Sequence, residues 1–258
     1  MLSSVISGGL LTNNVFPGVI FLNVNYIISN MRGELLMSSG VLEIDAKGLE
    51  PSKVNAKIRE AIGKGLKAIV VNARDAYGIA AGLKGGEVVI KGDVGDYLGM
   101  LNSGARIIVE GNAGNYVGDG AWSGEIIVKG NVGYGAGIYA YGGTIVIEGN
   151  AGDAVGQILK GATILVKGNA GNNIGVYMVN GDIIIVGNAG EKLGDWMIRG
   201  TIYLGGNCKS YGHNTKVENL TDEDIKKLKT LFEKYNVKAD PSKFKKIVPA
   251  SVRPFYGK

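Results

Sequence analysis

The sequence predicts an all-β solenoid: a right-handed parallel β-helix of about eight rungs with a 19-residue repeat, flanked by short α-helices. Glycine is abundant, at 43 of 258 residues, and most glycines lie in the middle of the chain. These glycines recur at steps of nineteen residues, which is typical of stacked solenoid repeats. Aliphatic residues at alternate positions before each glycine indicate strands that bury one face.

Each repeat contains three glycine positions, and an asparagine follows the first of them in most copies. We expect the glycines to supply positive φ at the corners, where a side chain would be strained. We expect the asparagines to stack as an amide ladder and to tolerate left-handed backbone. The glycine columns are Gly92/Gly111/Gly130/Gly149/Gly168/Gly187/Gly206, Gly95/Gly114/Gly133/Gly152/Gly171/Gly190 and Gly99/Gly118/Gly137/Gly156/Gly175/Gly194. The ladder positions are Asp93, Asn112, Asn131, Asn150, Asn169, Asn188 and Asn207.

The five residues before the first glycine of each repeat form the predicted strand, with Glu87–Lys91 as positions one to five of the first copy. Positions two and four are aliphatic in every copy, so they face the core. Position five alternates in sign, which avoids like charges if the rungs stack in register at ~4.8 Å. The position-five residues are Lys91, Glu110, Lys129, Glu148 and Lys167. An earlier rung, Ala68–Asn72, keeps this phase without the Gly-Asn turn.

Position three is also apolar, although it should point outward. An exposed stripe of this kind requires a cover, which is either the chain's own termini or a partner, including a second copy in a homo-oligomer. The sequence leaves these alternatives open. The stripe residues are Val89, Ile108, Ile127, Val146, Leu165, Ile184 and Tyr203.

The flanking segments complete a division into four parts. Residues 1–40 are an apolar extension or arm, and residues 41–65 are a cap with a strand at Val41–Asp45 and a helix at Pro51–Lys64. Residues 66–208 are the β-helix. Residues 209–258 are a basic helical cap with a helix that begins after Thr221, a short turn at Asp240-Pro241 and an irregular end.

Composition excludes several classes of function. The single cysteine, Cys208, and the single histidine, His213, exclude a disulfide framework and a Cys/His zinc cluster. One free cysteine is typical of a reducing compartment, so we expect a cytoplasmic protein. The net charge of +5 arises from the C-terminal cap, which argues against a nucleic-acid-binding face. The apolar run Val15–Ile28 is interrupted and too short for a membrane span, so we expect no membrane contact.

No group of residues makes a convincing site, and we expect no catalytic, cofactor-binding or metal-binding residue in this chain. We interpret Cys208 as a buried or incidental cysteine without a catalytic role. We expect His213 either to cap the end of the solenoid or to contact a partner. The segment Gly133–Gly137 keeps the repeat register and lacks the helix of a dinucleotide loop. Turn carboxylates and helix lysines read as solvated groups. They are Asp119, Asp153, Glu191 and Asp195, and Lys226, Lys227, Lys229 and Lys234.

The repeated G-N-A-G-x-x-x-G unit resembles the GXGXG domain, which forms the C-terminal region of the large chain of glutamate synthase and also occurs as a separate subunit. The β-helix chain of formylmethanofuran dehydrogenase is similar to it more distantly. Three segments resemble the glutamate synthase branch: Ile44–Leu49, Val54–Arg59 and Phe244–Pro249. The resemblance covers roughly Val41 to Lys258.

The resemblance implies a non-catalytic structural subunit of an oxidoreductase complex for glutamate biosynthesis. Its partners would be a glutaminase-type amidotransferase subunit and a flavin synthase subunit, and the FMN and iron–sulfur sites would lie on those partners. The first alternative is a β-helix subunit of a formylmethanofuran-dehydrogenase-like complex. The second is a stand-alone hydrolase that uses serine, aspartate or His213 on one solenoid face.

Overall fold

The structure is a computed structural model that describes residues 40–252. Within these residues, one eleven-stranded sheet winds into a solenoid, accompanied by helices α1 (Pro51–Gly63) and α2 (Asp222–Tyr235) and a 3-10 turn at Pro241–Lys243. The predicted extension, residues 1–40, lies outside the described residues except for Gly40. The strands are β1 Val41–Asp45, β2 Lys67–Val71, β3 Glu87–Lys91, β4 Ser103–Val109, β5 Ser123–Val128, β6 Thr144–Ile147, β7 Thr163–Val166, β8 Asp182–Ile185, β9 Thr201–Leu204, β10 Thr215–Glu218 and β11 Lys245–Pro249.

Strands β1 to β9 are parallel, and each pairs with the next one in sequence. From β3 to β9, paired residues are nineteen apart, as in Glu87–Arg106 and Asp182–Thr201, except for Ser103–Ser123, which are twenty apart at a register shift. Residues at positions two and four, such as Ile107, are buried in the solenoid core. The predicted parallel β-helix and its repeat are therefore confirmed.

The alternating charges at position five lie along one side of the solenoid and form ion pairs between rungs. Lys91 Nζ lies 2.8 Å from Glu110 Oε1, and Lys129 Nζ lies 3.9 Å from the same oxygen. Lys167 Nζ lies 2.7 Å from Glu148 Oε1. The stack is thus in register, as the alternation of sign predicts.

The earliest predicted rung is wrong by one residue. The strand is Lys67–Val71 rather than Ala68–Asn72, and Ala68 pairs with Val88, twenty residues away. Ala68 and Val70 are therefore the buried residues of this strand. The connection from β2 to β3 is one residue longer than in later repeats, and a shift of one residue exchanges the two faces of a strand.

The glycine columns serve different purposes. In the third column, φ lies between +62° and +75°, so the expectation of positive φ is confirmed there. In the first column only Gly92 has positive φ, and in the second column no glycine has, so the expectation is wrong for these two columns. A Cβ on Gly130 would lie 2.5 Å from Oδ1 of Asn112 and 2.7 Å from the carbonyl oxygen of Gly111. Gly130 does not have positive φ, so glycine is required there because the rungs lie too close together for a Cβ.

The asparagines form a ladder between rungs, but its geometry differs from the expected one. Asn131 donates its backbone N–H to Oδ1 of Asn112 at 2.8 Å, and this contact repeats from Asn112 to Asn207. Asp93 begins the ladder by accepting from Asn112. The ladder asparagines do not adopt left-handed backbone, so that expectation is wrong. Each side-chain amide oxygen instead accepts the backbone N–H of the next asparagine, which at the corner has no β-sheet partner.

The two ends of the solenoid close in different ways. Helix α1 fills the connection between β1 and β2 and buries Val54, Ile58 and Ala61 in the core. At the other end, β11 inserts between β9 and β10, and both of its pairings are antiparallel. Strand β11 was not predicted from the sequence; it ends at Pro249, where the irregular end was expected to begin, and its Ile247 extends the core beyond the last parallel strand.

Helix α2 covers most of the apolar stripe. Val146, Leu165, Ile184 and Tyr203 are buried and form one cluster with side chains of α2 and of the segment that follows it. Ile127 packs against this cluster and is half-buried. The chain itself is thus the cover for these rungs. The covering residues are Leu228, Phe232, Tyr235 and Phe244.

Polar contacts hold α2 on the stripe. Lys234 Nζ and Tyr235 Oη donate to Oε1 of Glu125, at 2.9 Å and 2.6 Å. Lys227 Nζ lies 3.1 Å from Asp182 Oδ2. Lys227 and Lys234 thus form ion pairs with the solenoid, which the sequence did not predict, while their side chains remain more than half exposed, as expected for a solvated face. Within residues 40–252, neither helix combines the length and apolar character of a membrane-crossing segment.

Candidate interaction surface

Cys208 and His213 both lie on the last turn of the solenoid, but they do not form a pair. Cys208 is partly buried against the core, and its backbone forms an isolated parallel β-bridge with Ala189. Burial, together with the neighbouring Cys208, raises the pKa of Tyr211. Among residues 40–252, the Cys208 thiol contacts the Tyr211 hydroxyl and forms no hydrogen bond to a histidine or a carboxylate, the usual bases for a cysteine nucleophile.

His213 caps the turn before it. Its backbone N–H donates to Oδ1 of Asp195 at 2.7 Å, and its Nδ1 lies 2.9 Å from the same oxygen. Its ring stacks on Trp196, with centroids 5.3 Å apart. Both contacts tie the chain to the preceding rung, which agrees with the end cap, one of the two roles expected for His213.

The other turn carboxylates are dispersed. Asp153 accepts from the backbone of Asn172 at 2.7 Å, and the Glu191 backbone N–H donates to Oδ1 of Asn172 at 2.8 Å. Burial raises the pKa of Asp119, whose carboxylate has no hydrogen bond to a described residue. The part of the chain in the structure holds no cluster of three or more His, Cys, Asp or Glu side chains that could bind a metal.

The glycine-rich segment Gly133–Gly137 belongs to a solenoid corner. The backbone N–H of Tyr134 donates to Oδ1 of Asn115 at 2.8 Å, a contact within the stack of turns. Gly137 is followed by a further turn and not by a helix. The segment therefore lacks the helix N-terminus that a dinucleotide phosphate would need.

An exposed cluster that we call the aromatic ridge consists of Trp122, Tyr139, Tyr141 and Lys160. The rings of Trp122 and Tyr141 are stacked, with centroids 4.2 Å apart and planes 1° from parallel. Lys160 Nζ lies 4.2 Å from the Tyr141 ring centroid and 5.7 Å from that of Tyr139. It also donates to Oη of Tyr141 at 2.6 Å. These contacts hold the four side chains in one arrangement.

The aromatic ridge remains accessible despite this internal packing. Trp122 is 56% exposed, Tyr139 is 46% exposed and Tyr141 is 42% exposed. Large aromatic side chains are enriched at the centres of protein interfaces, where they supply much apolar area at low entropic cost. The ridge therefore has the composition of an interface in a part of the solenoid that α2 does not cover.

The backbone under the ridge is left-handed at Tyr139, as it is at the equivalent corners of other rungs. Tyr139 belongs to a column of corners with left-handed backbone, in which φ lies between +54° and +57° at the non-glycine positions. This conformation costs a residue with a Cβ about 1–2 kcal/mol. Gly120 occupies the same column with φ +60°, so glycine is compatible with this corner. The non-glycine members are Leu101, Tyr139, Ile158, Tyr177 and Trp196.

Sequence reasoning missed this surface because it searched for catalytic residues and for the stripe at position three. The signal was present in the repeat: Trp122, Tyr141 and Lys160 are nineteen residues apart and share one column. Tyr139 lies in the column two residues earlier. Aromatic residues that recur at one turn position of the repeat indicate an exposed aromatic surface.

Comparison with known proteins places these features in a family. A search of curated proteins found no match. Residues 50–252 match the family described as the GXGXG motif. The match includes α1, the solenoid from β2 onward, α2 and β11. Because it covers most of the chain, the protein belongs to the GXGXG motif family, a domain family related to glutamate synthase.

Proposed function

We propose that this chain is a non-catalytic structural subunit of a glutamate-synthase-like complex. In this proposal it holds a glutaminase-type amidotransferase subunit and a flavin synthase subunit at a fixed spacing. FMN and iron–sulfur clusters belong to the partner chains, and this chain contributes none of their ligands. The family relationship to glutamate synthase supports the choice of complex.

The construction of the solenoid suits a spacer. Parallel strands β1 to β9 extend over roughly 40 Å at ~4.8 Å per strand. The asparagine ladder and the ion pairs at position five tie each rung to the next. Because successive rungs are joined by these hydrogen bonds and ion pairs, we expect the solenoid to be rigid along its axis, as a spacer between two subunits must be.

The aromatic ridge is the observation that carries the proposal. The chain covers its apolar stripe with α2, yet it leaves Trp122, Tyr139 and Tyr141 exposed together. We propose that one of the two partner subunits packs on this ridge.

A double substitution tests this role. Trp122→Ala with Tyr141→Ala removes the stacked pair, and both side chains are largely exposed, so the unfolding temperature should change little. In the native organism, a tagged variant should lose one partner subunit that the tagged wild-type chain retains. Tyr77→Ala is the matched control, because Tyr77 is an exposed aromatic residue on an earlier turn. Retention of both partners by the double variant would contradict the proposal.

A further inference from the structure

Strand β10 forms one edge of the eleven-stranded sheet, and among residues 40–252 it pairs with β11 alone. It is short and lies at the C-terminal end of the solenoid. Val217, at its centre, is 51% exposed. An unpaired edge of this kind presents backbone donors and acceptors that can bind another strand.

The pairing with β11 determines which backbone groups of β10 are unused. Just before β10, Ala250 donates its N–H to the carbonyl oxygen of Asn214 at 2.8 Å, so the hydrogen-bonded positions of the ladder have the parity of Asn214, and Thr215 lies opposite Pro249, which has no N–H to donate. Hydrogen-bonded pairs alternate with non-hydrogen-bonded pairs in an antiparallel ladder. Val217, which lies opposite Ile247, is therefore in a non-hydrogen-bonded pair, and its N–H and C=O point toward the open edge.

The charges on β10 are complementary to those of a second, antiparallel β10. Lys216 and Glu218 flank Val217 and lie on the same face of the strand, with Nζ 2.8 Å from Oε1. If a twofold axis passes beside Val217, Lys216 of each copy faces Glu218 of the other. The four charges then alternate in sign around the axis, which favours this register over a shifted one.

We propose that two copies of this chain associate through antiparallel pairing of their β10 strands, centred on Val217. The two Val217 residues form a hydrogen-bonded pair, in which each N–H donates to the carbonyl oxygen of the other. The sheet then continues from one solenoid into the next, and the end of each solenoid is covered. This proposal concerns a different set of residues from the aromatic ridge.

Charge reversal and charge exchange test the register. Sedimentation of the purified full chain over a range of concentrations should show a monomer–dimer equilibrium. Glu218→Lys places like charges opposite each other at two positions, so the dissociation constant should rise roughly tenfold or more. Lys216→Glu should have the same effect. The double variant with both substitutions exchanges the charges and should restore dimerisation to within a few-fold of wild type.

Two further variants separate this interface from general effects. Lys209→Glu changes an exposed lysine of the last turn and should leave the dimer unchanged. Val217→Pro removes the outward N–H without removing a donor to β11, so it should abolish the dimer while the thermal melt stays close to wild type. A wild-type chain that stays monomeric, a dimer that tolerates the single reversals, or a double variant that fails to dimerise would each overturn the proposal.

Discussion

Lys245 donates from Nζ to Oδ1 of Asn207 at 2.7 Å and ends the asparagine ladder. In every earlier rung from Asn112 onward, the amide oxygen accepts the backbone N–H of the next asparagine. Asn207 has no following rung, so its oxygen would lack this partner. The same Nζ also reaches the carbonyl oxygen of Gly206 at 3.1 Å. Strand β11 thus supplies both the last core residues and the cap of the ladder.

Removing this cap should loosen the C-terminal end. Lys245→Met keeps the aliphatic stem but loses both hydrogen bonds, and we expect a loss of about 1 kcal/mol in the free energy of unfolding. Chemical denaturation measures this change. Lys243→Met, at an exposed position of the 3-10 turn, is the control and should be neutral. Equal stability of the two variants would show that the Lys245 contact contributes nothing.

The close contact between rungs predicts that Gly149 does not tolerate a methyl group. A Cβ there would lie 2.5 Å from Oδ1 of Asn131 and 2.7 Å from the carbonyl oxygen of Gly130. Gly149→Ala should therefore force the rungs apart and cost roughly 1–3 kcal/mol. Gly63→Ala is the matched control, because its Cβ would meet nothing within 4 Å. Similar melting temperatures for both variants would argue against the close stacking of the ladder.

The cover over the apolar stripe predicts a difference between two positions on it. Leu165→Glu places a carboxylate in the buried cluster under α2, and we expect a loss of several kcal/mol with a lower melting temperature. Ile127→Glu lies at the half-buried margin and should cost less. Thermal melts and size-exclusion chromatography measure both effects. If Leu165→Glu melted like wild type, α2 would not cover the stripe in solution.

The attachment of α2 should depend on pH through Asp224. This buried carboxylate accepts from Tyr203 Oη at 2.6 Å and from Lys246 Nζ at 2.8 Å. Burial alone would raise the pKa of Asp224, but the hydrogen bonds from Lys246, Tyr203 and Thr221 outweigh it and hold the pKa well below its usual value. A pKa lowered by folding stabilises the folded state above the unfolded pKa of ~3.9, and this stabilisation is lost as the pH falls.

We therefore expect Asp224→Asn to lower stability by roughly 2–4 kcal/mol at neutral pH, because Lys246 loses its buried partner. The difference from wild type should shrink as the pH falls below about 4. Urea denaturation between neutral and acidic pH gives both values. Asp222→Asn, at an exposed position in the same helical turn, should behave like wild type throughout. A difference for Asp224→Asn that does not change with pH would contradict this account.

The nineteen-residue period was sufficient to predict the solenoid, its register and the ion pairs at position five, because each of these depends on regular repetition. The shift at β2 was not predictable, since only the length of one connection distinguishes Ala68 from the later repeats. Strand β10 has no aliphatic pattern, and its sequence, Thr215–Glu218, is mostly polar. Its strand conformation depends on β11, which returns from after α2 to pair with it.

The cover of the stripe shows a second limit of the sequence. The apolar residues at position three correctly indicated that something covers them, but the sequence did not select between the chain and a partner. The choice depends on pairs distant in the chain, such as Glu125 with Tyr235. Burial would raise the pKa of Glu125, yet the hydrogen bonds from Tyr235 and Lys234 lower it overall. The aromatic ridge was missed for a different reason, because the turn positions were considered only as sources of catalytic or metal-binding side chains.

The composition of the native assembly tests the central claim most directly. The tagged chain would be purified from its own organism under mild conditions, and the proteins that remain with it would be identified and counted by mass spectrometry. The account predicts a glutaminase-type amidotransferase subunit and a flavin synthase subunit in fixed ratio to this chain, with glutamine-dependent glutamate synthesis by the assembly and none by the chain alone. A chain that is recovered only with copies of itself, or that catalyses a reaction in isolation, would contradict the account.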